Sequence, residues 1–281
     1  MKQFKPDAVV GTGGYASGPM LRVAANAGIP TLIQEQNSYP GITNKILSKK
    51  VDRICVAYDE MERFFPKGKI ILTGNPVRQD ILKLDGKKAR AAEFFGLDPE
   101  KKTILVIGGS LGARTLNETL NAGVTELMKN ELQVIWQTGK TFYAGLGDEL
   151  KQNKTKGVRV YDFISKMDYA YVMADVVISR AGASSVSELC LVKKACILVP
   201  SPNVAEDHQT KNAMALVNHQ AAILVKDLDA ANTLMEHAIE LANNEVQRKK
   251  LETNISRFAY TDSALVIANE ILNLIHNRNK K

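Results

Sequence analysis

Through the second half of the chain six short apolar runs alternate with amphipathic stretches, and this alternation constrains the fold more than any other feature. The runs occupy residues 103–107, 133–136, 158–161, 175–179, 195–199 and 222–225. Each has the length of a strand and is apolar at consecutive positions, as in a strand buried on both faces. Strand alternating with helix at this spacing predicts a parallel sheet covered on both sides, an α/β fold. Four more strand-like runs, at 7–10, 30–34, 53–57 and 69–73, carry the pattern back to the start. Among them Pro19 opens a helical stretch to Ala27 and Gly28 closes it, while a later helix is expected over 90–97. Between the two sets lies Gly74-Asn75-Pro76-Val77-Arg78, where Asn-Pro turns the chain away from helix. The expected division is a first domain at 1–77, a second at 78–257, and a terminal amphipathic helix within 258–281 that packs back toward the first.

Within the second domain, residues 174–209 concentrate the polar chemistry. An apolar run feeds the small-residue loop Arg180-Ala181-Gly182-Ala183-Ser184-Ser185, and a helix-like run opens at Val186-Ser187-Glu188-Leu189. A strand that enters a helix through such a loop leaves free N–H groups at the helix mouth, a seat for phosphate. Glu188, placed in the first turn, offers a carboxylate to the two hydroxyls of a ribose. The same Ser185-Val186-Ser187-Glu188 also spells a capping box, which needs no ligand. After the first strand of this domain comes Gly108-Gly109-Ser110-Leu111-Gly112-Ala113-Arg114, either a tight turn or a second anion seat with Ser110 and the following amides as donors. Asp207, His208 and Gln209 follow another strand end; they suit sugar hydroxyls, or Asp207 caps the next helix. Asp227-Leu228-Asp229 has the form of a metal-binding D-x-D, but its position between strand and helix favours capping, and no metal site is assigned. His219, His237 and His276 have no partners at ligand spacing. Near the start, Gly11, Gly13 and Ala16 with Glu35 also satisfy the fingerprint of a dinucleotide-binding unit, which makes an NAD-dependent oxidoreductase the main rival.

Charge and cysteine content narrow the partners. With 37 Lys and Arg against 30 Asp and Glu, the net charge of +7 suits an anionic ligand or an anionic membrane surface. No basic stripe is interleaved with aromatics, so no nucleic-acid partner is expected. Cys55, Cys190 and Cys196 lie in apolar runs and read as reduced, buried thiols rather than a disulfide framework. The apolar runs are too short to span a bilayer and the N-terminus lacks the apolar core of a signal peptide, which places the chain in the cytoplasm.

Six spaced motifs then converge on one family. They are Gly11-Thr12-Gly13-Gly14-Tyr15-Ala16-Ser17-Gly18-Pro19; Gln34-Glu35-Gln36-Asn37 with Pro40-Gly41; Gly74 to Arg78; Gly108 to Arg114; Ser179-Arg180-Ala181-Gly182-Ala183 with Ser187-Glu188; and Asp207-His208-Gln209. Together they resemble the MurG family of bacterial cell-wall N-acetylglucosaminyltransferases. The resemblance implies a GT-B fold, two Rossmann-like domains facing a cleft. It further implies inverting, metal-free transfer of N-acetylglucosamine from UDP-N-acetylglucosamine to lipid I, giving lipid II at the cytoplasmic face of the membrane with no cofactor. By similarity Ser110 and Arg78 would hold the diphosphate, Glu188 the ribose, Arg180 the nucleotide pocket, and His208 and Gln209 the transferred sugar. Gly14, Tyr15 and Asn37 would face the acceptor; the general base is not identified, and Glu35 is a candidate only as a carboxylate near the inferred cleft. Two departures stand out. Gln34 replaces a His that is usual in the family, and the family's first glycine-rich loop is absent, so the first domain is expected to be incomplete and to leave an apolar face uncovered. A non-catalytic UDP-sugar-binding fragment is the alternative on that ground.

Overall fold

A computed structural model describes residues 3–109 and 112–279. Its contacts divide the chain into two units: Met1–Val77 together with Tyr260–Lys281, and Arg78–Ala259.

The smaller unit is built on four parallel strands in the order β1-β2-β3-β4: β1 (Val9–Gly11), β2 (Thr31–Glu35), β3 (Arg53–Val56) and β4 (Ile70–Leu72). Successive side chains point to opposite faces. On one face Ile33, Ile54 and Val56 pack with Leu21, Leu47, Val51, Met61 and Phe65 from the connecting segments. On the other, Leu32 and Cys55 pack against Ile267 of the long helix Ser263–Asn279. The face expected to lie uncovered is therefore closed by the last helix of the chain, which Arg53 also meets through an ion pair with Glu270 at 3.8 Å. Helix Ser17–Asn26 ends where Gly28 takes φ 66° and the Ile29 amide returns to the Ala24 carbonyl. That is the left-handed closure a glycine permits at no steric cost.

The larger unit carries six strands: β5 (Thr103–Ile107), β6 (Gln133–Gln137), β7 (Val158–Tyr161), β8 (Val176–Ser179), β9 (Ala195–Leu198) and β10 (Ile223–Leu224). Their order is β10-β9-β8-β5-β6-β7 and every pairing is parallel. Register aligns Ile135, Leu105, Val177 and Cys196 in one row and Trp136, Val106, Ile178 and Ile197 in the next, and all eight are buried. Both faces of the sheet are thus apolar, which is why the strands read as continuous runs in the sequence. Helix Lys88–Phe95 ends two residues before the expected 97, because Gly96 at φ 60° stops it. Burial pushes the Cys196 thiol up to about 12, so it stays protonated.

The chain runs outward from β5 through β6 to β7, then crosses back to β8 and runs the other way to β10. Strand order reverses between β5 and β8, and in open α/β sheets ligands bind beyond the strand ends at such a reversal.

Trp136, with no exposed surface, donates its indole N–H to Asn117 Oδ1 at 2.9 Å, and Asn117 in turn donates to the Thr138 carbonyl at 2.8 Å. Trp136→Ala is expected to cost about 3–5 kcal/mol through the cavity and the orphaned amide. Urea unfolding of the two chains measures it.

Candidate functional site

The loops after β5 and β8 lie at the reversal. Gly108 approaches Ala113 so closely that a Cβ would collide with its backbone, and Gly109 and Gly112 take φ of 83° and 78°. Helix Arg114–Lys129 follows, its N-cap Ala113 extended and without a side-chain cap. Ser110, the expected phosphate contact, lies outside the described residues.

The loop after β8 reaches its helix earlier than expected. Gly182 is the extended N-cap and the helix spans Ala183–Val192, again with no side-chain cap. The capping box is therefore absent: Ser185 is already inside the helix and no acidic residue stands in the first turn. Glu188, expected in that turn, falls in the second and points inward, only 8% exposed. Two neighbouring strands thus each deliver a helix whose N-cap residue offers its first amides no side-chain cap among the described residues.

The Glu188 carboxylate is held from two directions. Oε1 accepts from Arg78 Nε at 2.9 Å and Oε2 from the Tyr171 hydroxyl at 2.9 Å. Arg78 and Glu188, two separate contacts in the sequence reading, are one ion pair, and Tyr171 was missed. A buried tyrosine 17 residues upstream leaves no local pattern to find it by.

Arg180 does not stand free as a frame for the pocket. Its Nη1 donates to the Val199 and Pro200 carbonyls, at 3.0 and 3.2 Å, and to the Asp227 carboxylate. Asp227 Oδ2 also accepts from Thr115 Oγ1 at 3.0 Å, so it is an ion-pair partner rather than a helix cap. Gln209 Oε1 accepts from the amides of Ser201 and Ala181, at 2.9 and 3.3 Å, tying the loops after β8 and β9 together. His208 opens helix His208–Val217, and its buried Nδ1 has no partner among the described residues. Asp207 precedes it at φ 53° and makes no side-chain cap.

In the smaller unit, Gly13 and Gly14 take φ of 92° and 76° after β1, and Ser17 Oγ donates to the Gly14 carbonyl at 3.0 Å. Tyr15 between them is 87% exposed. Glu35, at the end of β2, is 3% exposed. Its Oε1 accepts from the amide and Nδ2 of Asn37, at 3.0 and 3.3 Å, and its Oε2 from the Gly41 amide and Asn44 Nδ2, at 3.2 and 2.8 Å. Four donors fill the four lone-pair sites of the carboxylate. This corrects both readings of Glu35: it has no free lone pair for an incoming hydroxyl proton, and none for the ribose of NAD. Beside it Gln34 Nε2 donates to Asn75 Oδ1 at 2.7 Å, and Asn75 Nδ2 to the Gln36 carbonyl at 2.9 Å. Loop 36–41, which carries Asn37, is thereby held from both sides.

Burial, with the adjacent Glu188 carboxylate, raises the Tyr171 phenol well above the ordinary pKa of 10.0. The folded chain keeps a proton that the unfolded chain gives up, so this residue costs nothing below about pH 10 and erodes stability as pH rises beyond it. Tyr171→Phe should remove that alkaline loss while lowering stability at neutral pH by roughly 1–3 kcal/mol, since Glu188 Oε2 is left unpaired. Denaturation of both chains at neutral pH and near pH 10.5 reads both effects.

Comparison with known proteins gives concordant matches. The profile of the glycosyltransferase family 28 C-terminal domain matches residues 103–268, and that of the family's N-terminal domain residues 1–56. A UDP-N-acetylglucosamine--N-acetylmuramyl-(pentapeptide) pyrophosphoryl-undecaprenol N-acetylglucosamine transferase of Parabacteroides distasonis is 54% identical over 278 residues, covering 99% of this chain and 76% of its own length. The protein of the same name from Bacteroides fragilis is 56% identical over 276 residues, 98% of this chain and 73% of its own. Among solved structures, Acinetobacter baumannii MurG superposes with a TM-score of 0.76 at 29% identity, covering 97% of this chain and 75% of that one.

Proposed function

Because the chain belongs to glycosyltransferase family 28 and, within it, to the MurG N-acetylglucosaminyltransferases, we propose that it transfers N-acetylglucosamine from UDP-N-acetylglucosamine to the muramyl sugar of an undecaprenyl-pyrophosphoryl acceptor. Its fold is the two-sheet α/β fold of GT-B enzymes. The observation that carries the reading is the pair of uncapped helix mouths at the β5/β8 reversal, with the Arg78–Glu188 pair anchored in the same unit.

In this proposal the UDP diphosphate lies against the first-turn amides of helices Arg114–Lys129 and Ala183–Val192, where helix dipoles and N–H groups favour negative charge. Arg78, half-exposed, adds a positive charge, and Ser110 a hydroxyl. Glu188 keeps Tyr171 and Arg78 on one lone pair of each oxygen and offers the remaining pair to the ribose hydroxyls. His208 and Gln209 reach the transferred sugar, Gln209 with the amide nitrogen that its loop contacts leave unused. The reaction is displacement at the anomeric carbon with inversion and without a metal. Preorganised amides and cations stabilise the departing UDP. The acceptor is met by Gly14, Tyr15 and the Asn37 loop, which Glu35 holds in shape. A base must take the proton of the attacking hydroxyl, and the four hydrogen bonds on Glu35 weigh against that residue.

Peripheral attachment to the cytoplasmic face of the membrane is part of the proposal. No described helix is long and apolar enough to cross a membrane. Helices Ser17–Asn26 and Ile42–Leu47 pack against each other and expose Met20, Val23, Ile42 and Ile46, with Lys49 and Lys50 following. Apolar side chains next to lysines suit an anionic lipid surface.

Calorimetric titration with UDP-N-acetylglucosamine tests the nucleotide half. Saturable binding is expected, competed by UDP and weakened about tenfold or more in Glu188→Gln, in which a ribose acceptor is exchanged for an amide. A folded chain that binds NADH but no UDP-sugar would overturn the proposal.

A further inference from the structure

Asp227 stands three residues past the end of β10 and was assigned only a capping role from its sequence context. Its side chain caps nothing: the N-cap of the short 3-10 turn Asp227–Asp229 is Lys226, that of helix Ala230–Asn243 is Asp229, and neither makes a side-chain cap. The carboxylate is turned inward instead. It pairs with the Arg180 guanidinium, whose side chain is 11% exposed, and accepts from Thr115 at 3.0 Å. Thr115 is the second residue of the helix that follows the Gly108–Ala113 loop, Arg180 directly follows β8, and the same Arg180 nitrogen also holds the two carbonyls that follow β9. One carboxylate thus joins the ends of β5, β8, β9 and β10 at the point where the sheet order reverses.

We propose that Asp227 is a positioning residue for the nucleotide-sugar, acting through Arg180. The assignment rests on Arg180 belonging to the nucleotide-sugar site. A guanidinium has five N–H donors in a rigid plane. Nη1 is committed to Val199, Pro200 and Asp227, while Nε and Nη2 have no partner among the described residues. With one nitrogen pinned at three points the plane is fixed, and its open edge is aimed before any ligand arrives. Loss of the Asp227 charge releases that plane and leaves a largely buried cation without its counter-ion. The Thr115 hydroxyl, which ties the helix after β5 to the same anchor, needs only an acceptor oxygen there and not the charge. Preorganised donors bind a ligand more tightly than mobile ones because less freedom is lost on binding.

The test titrates the full chain with UDP-N-acetylglucosamine by calorimetry and records melting temperatures alongside. Asp227→Asn keeps the shape and the Thr115 acceptor and removes the charge; it is expected to raise Kd about tenfold. Arg180→Ala should lose at least as much, and Asp227→Asn combined with Arg180→Ala no more than Arg180→Ala alone, since both changes act on one element. Thr115→Val, which spares the ion pair, is expected to raise Kd by only about two- to threefold. Asp227→Glu, which keeps the charge, should recover part of the loss. A purely structural Asp227 would lower the melting temperature of Asp227→Asn with Kd unchanged, and that result overturns the proposal. Additive losses in the double variant overturn the route through Arg180. If Arg180→Ala binds like the parent while Asp227→Asn does not, the placement of Arg180 fails and this assignment with it, while the Glu188 titration still stands.

Discussion

Backbone amides at the β5/β8 reversal have no strand to pair with, and the organisation of the larger unit follows from that shortage. A parallel sheet satisfies its own N–H and C=O groups, but the first turn of each helix leaving it cannot. Side-chain caps would have closed those mouths. Gly182 and Ala113 stand at the N-caps instead, residues with nothing to offer, and the polar side chains of the region are spent on holding the loops still. Arg78, Tyr171 and Glu188 form one such brace, and Arg180, Asp227 and Thr115 another. The result is a set of open amides on a rigid frame, which is what stabilisation of a departing diphosphate requires.

The smaller unit applies the same economy in reverse. Glu35 is a buried carboxylate with every lone pair engaged by the loop that follows it and by Asn44. A carboxylate is tolerated in such surroundings when hydrogen bonds occupy its oxygens, as they do here. Its oxygens are spent on the shape of the loop that carries Asn37 and Gly41. Gln34, standing where the family usually has His, serves that loop too, through Asn75. An amide does this without titrating, so in this chain the geometry of that contact is independent of pH across the range where a histidine would change charge.

The central strands were legible because parallel strands buried on both faces write themselves as uninterrupted apolar runs, and the edge strands β1, β4 and β10, only partly buried, by their spacing from them, all with ends misplaced by no more than a residue or two. The helix at Ala183 was placed three residues late because it starts at an extended glycine and carries no capping side chain to mark it. The glycine-rich loops were legible as motifs, and the resemblance to a family rested on six of them in order. What they could not supply was pairing. Glu188 meets Arg78 across 110 positions of sequence, and Asp227 meets Arg180 across 47 and Thr115 across 112. Asp227 looked like a cap because its neighbours in sequence are those of a cap. Only the sheet, by bringing four strand ends to one place, reveals its partners.

The return of helix Ser263–Asn279 to the first sheet sets an order for synthesis. Residues 78–259 form one continuous unit and can close their core as soon as they have left the ribosome. The sheet of β1–β4 waits longer: Leu32 and Cys55 lack the cover of Ile267 until that residue has been added, after the entire larger unit has been made. The sheet of β1–β4 is therefore finished after the larger unit, although its strands are made before it.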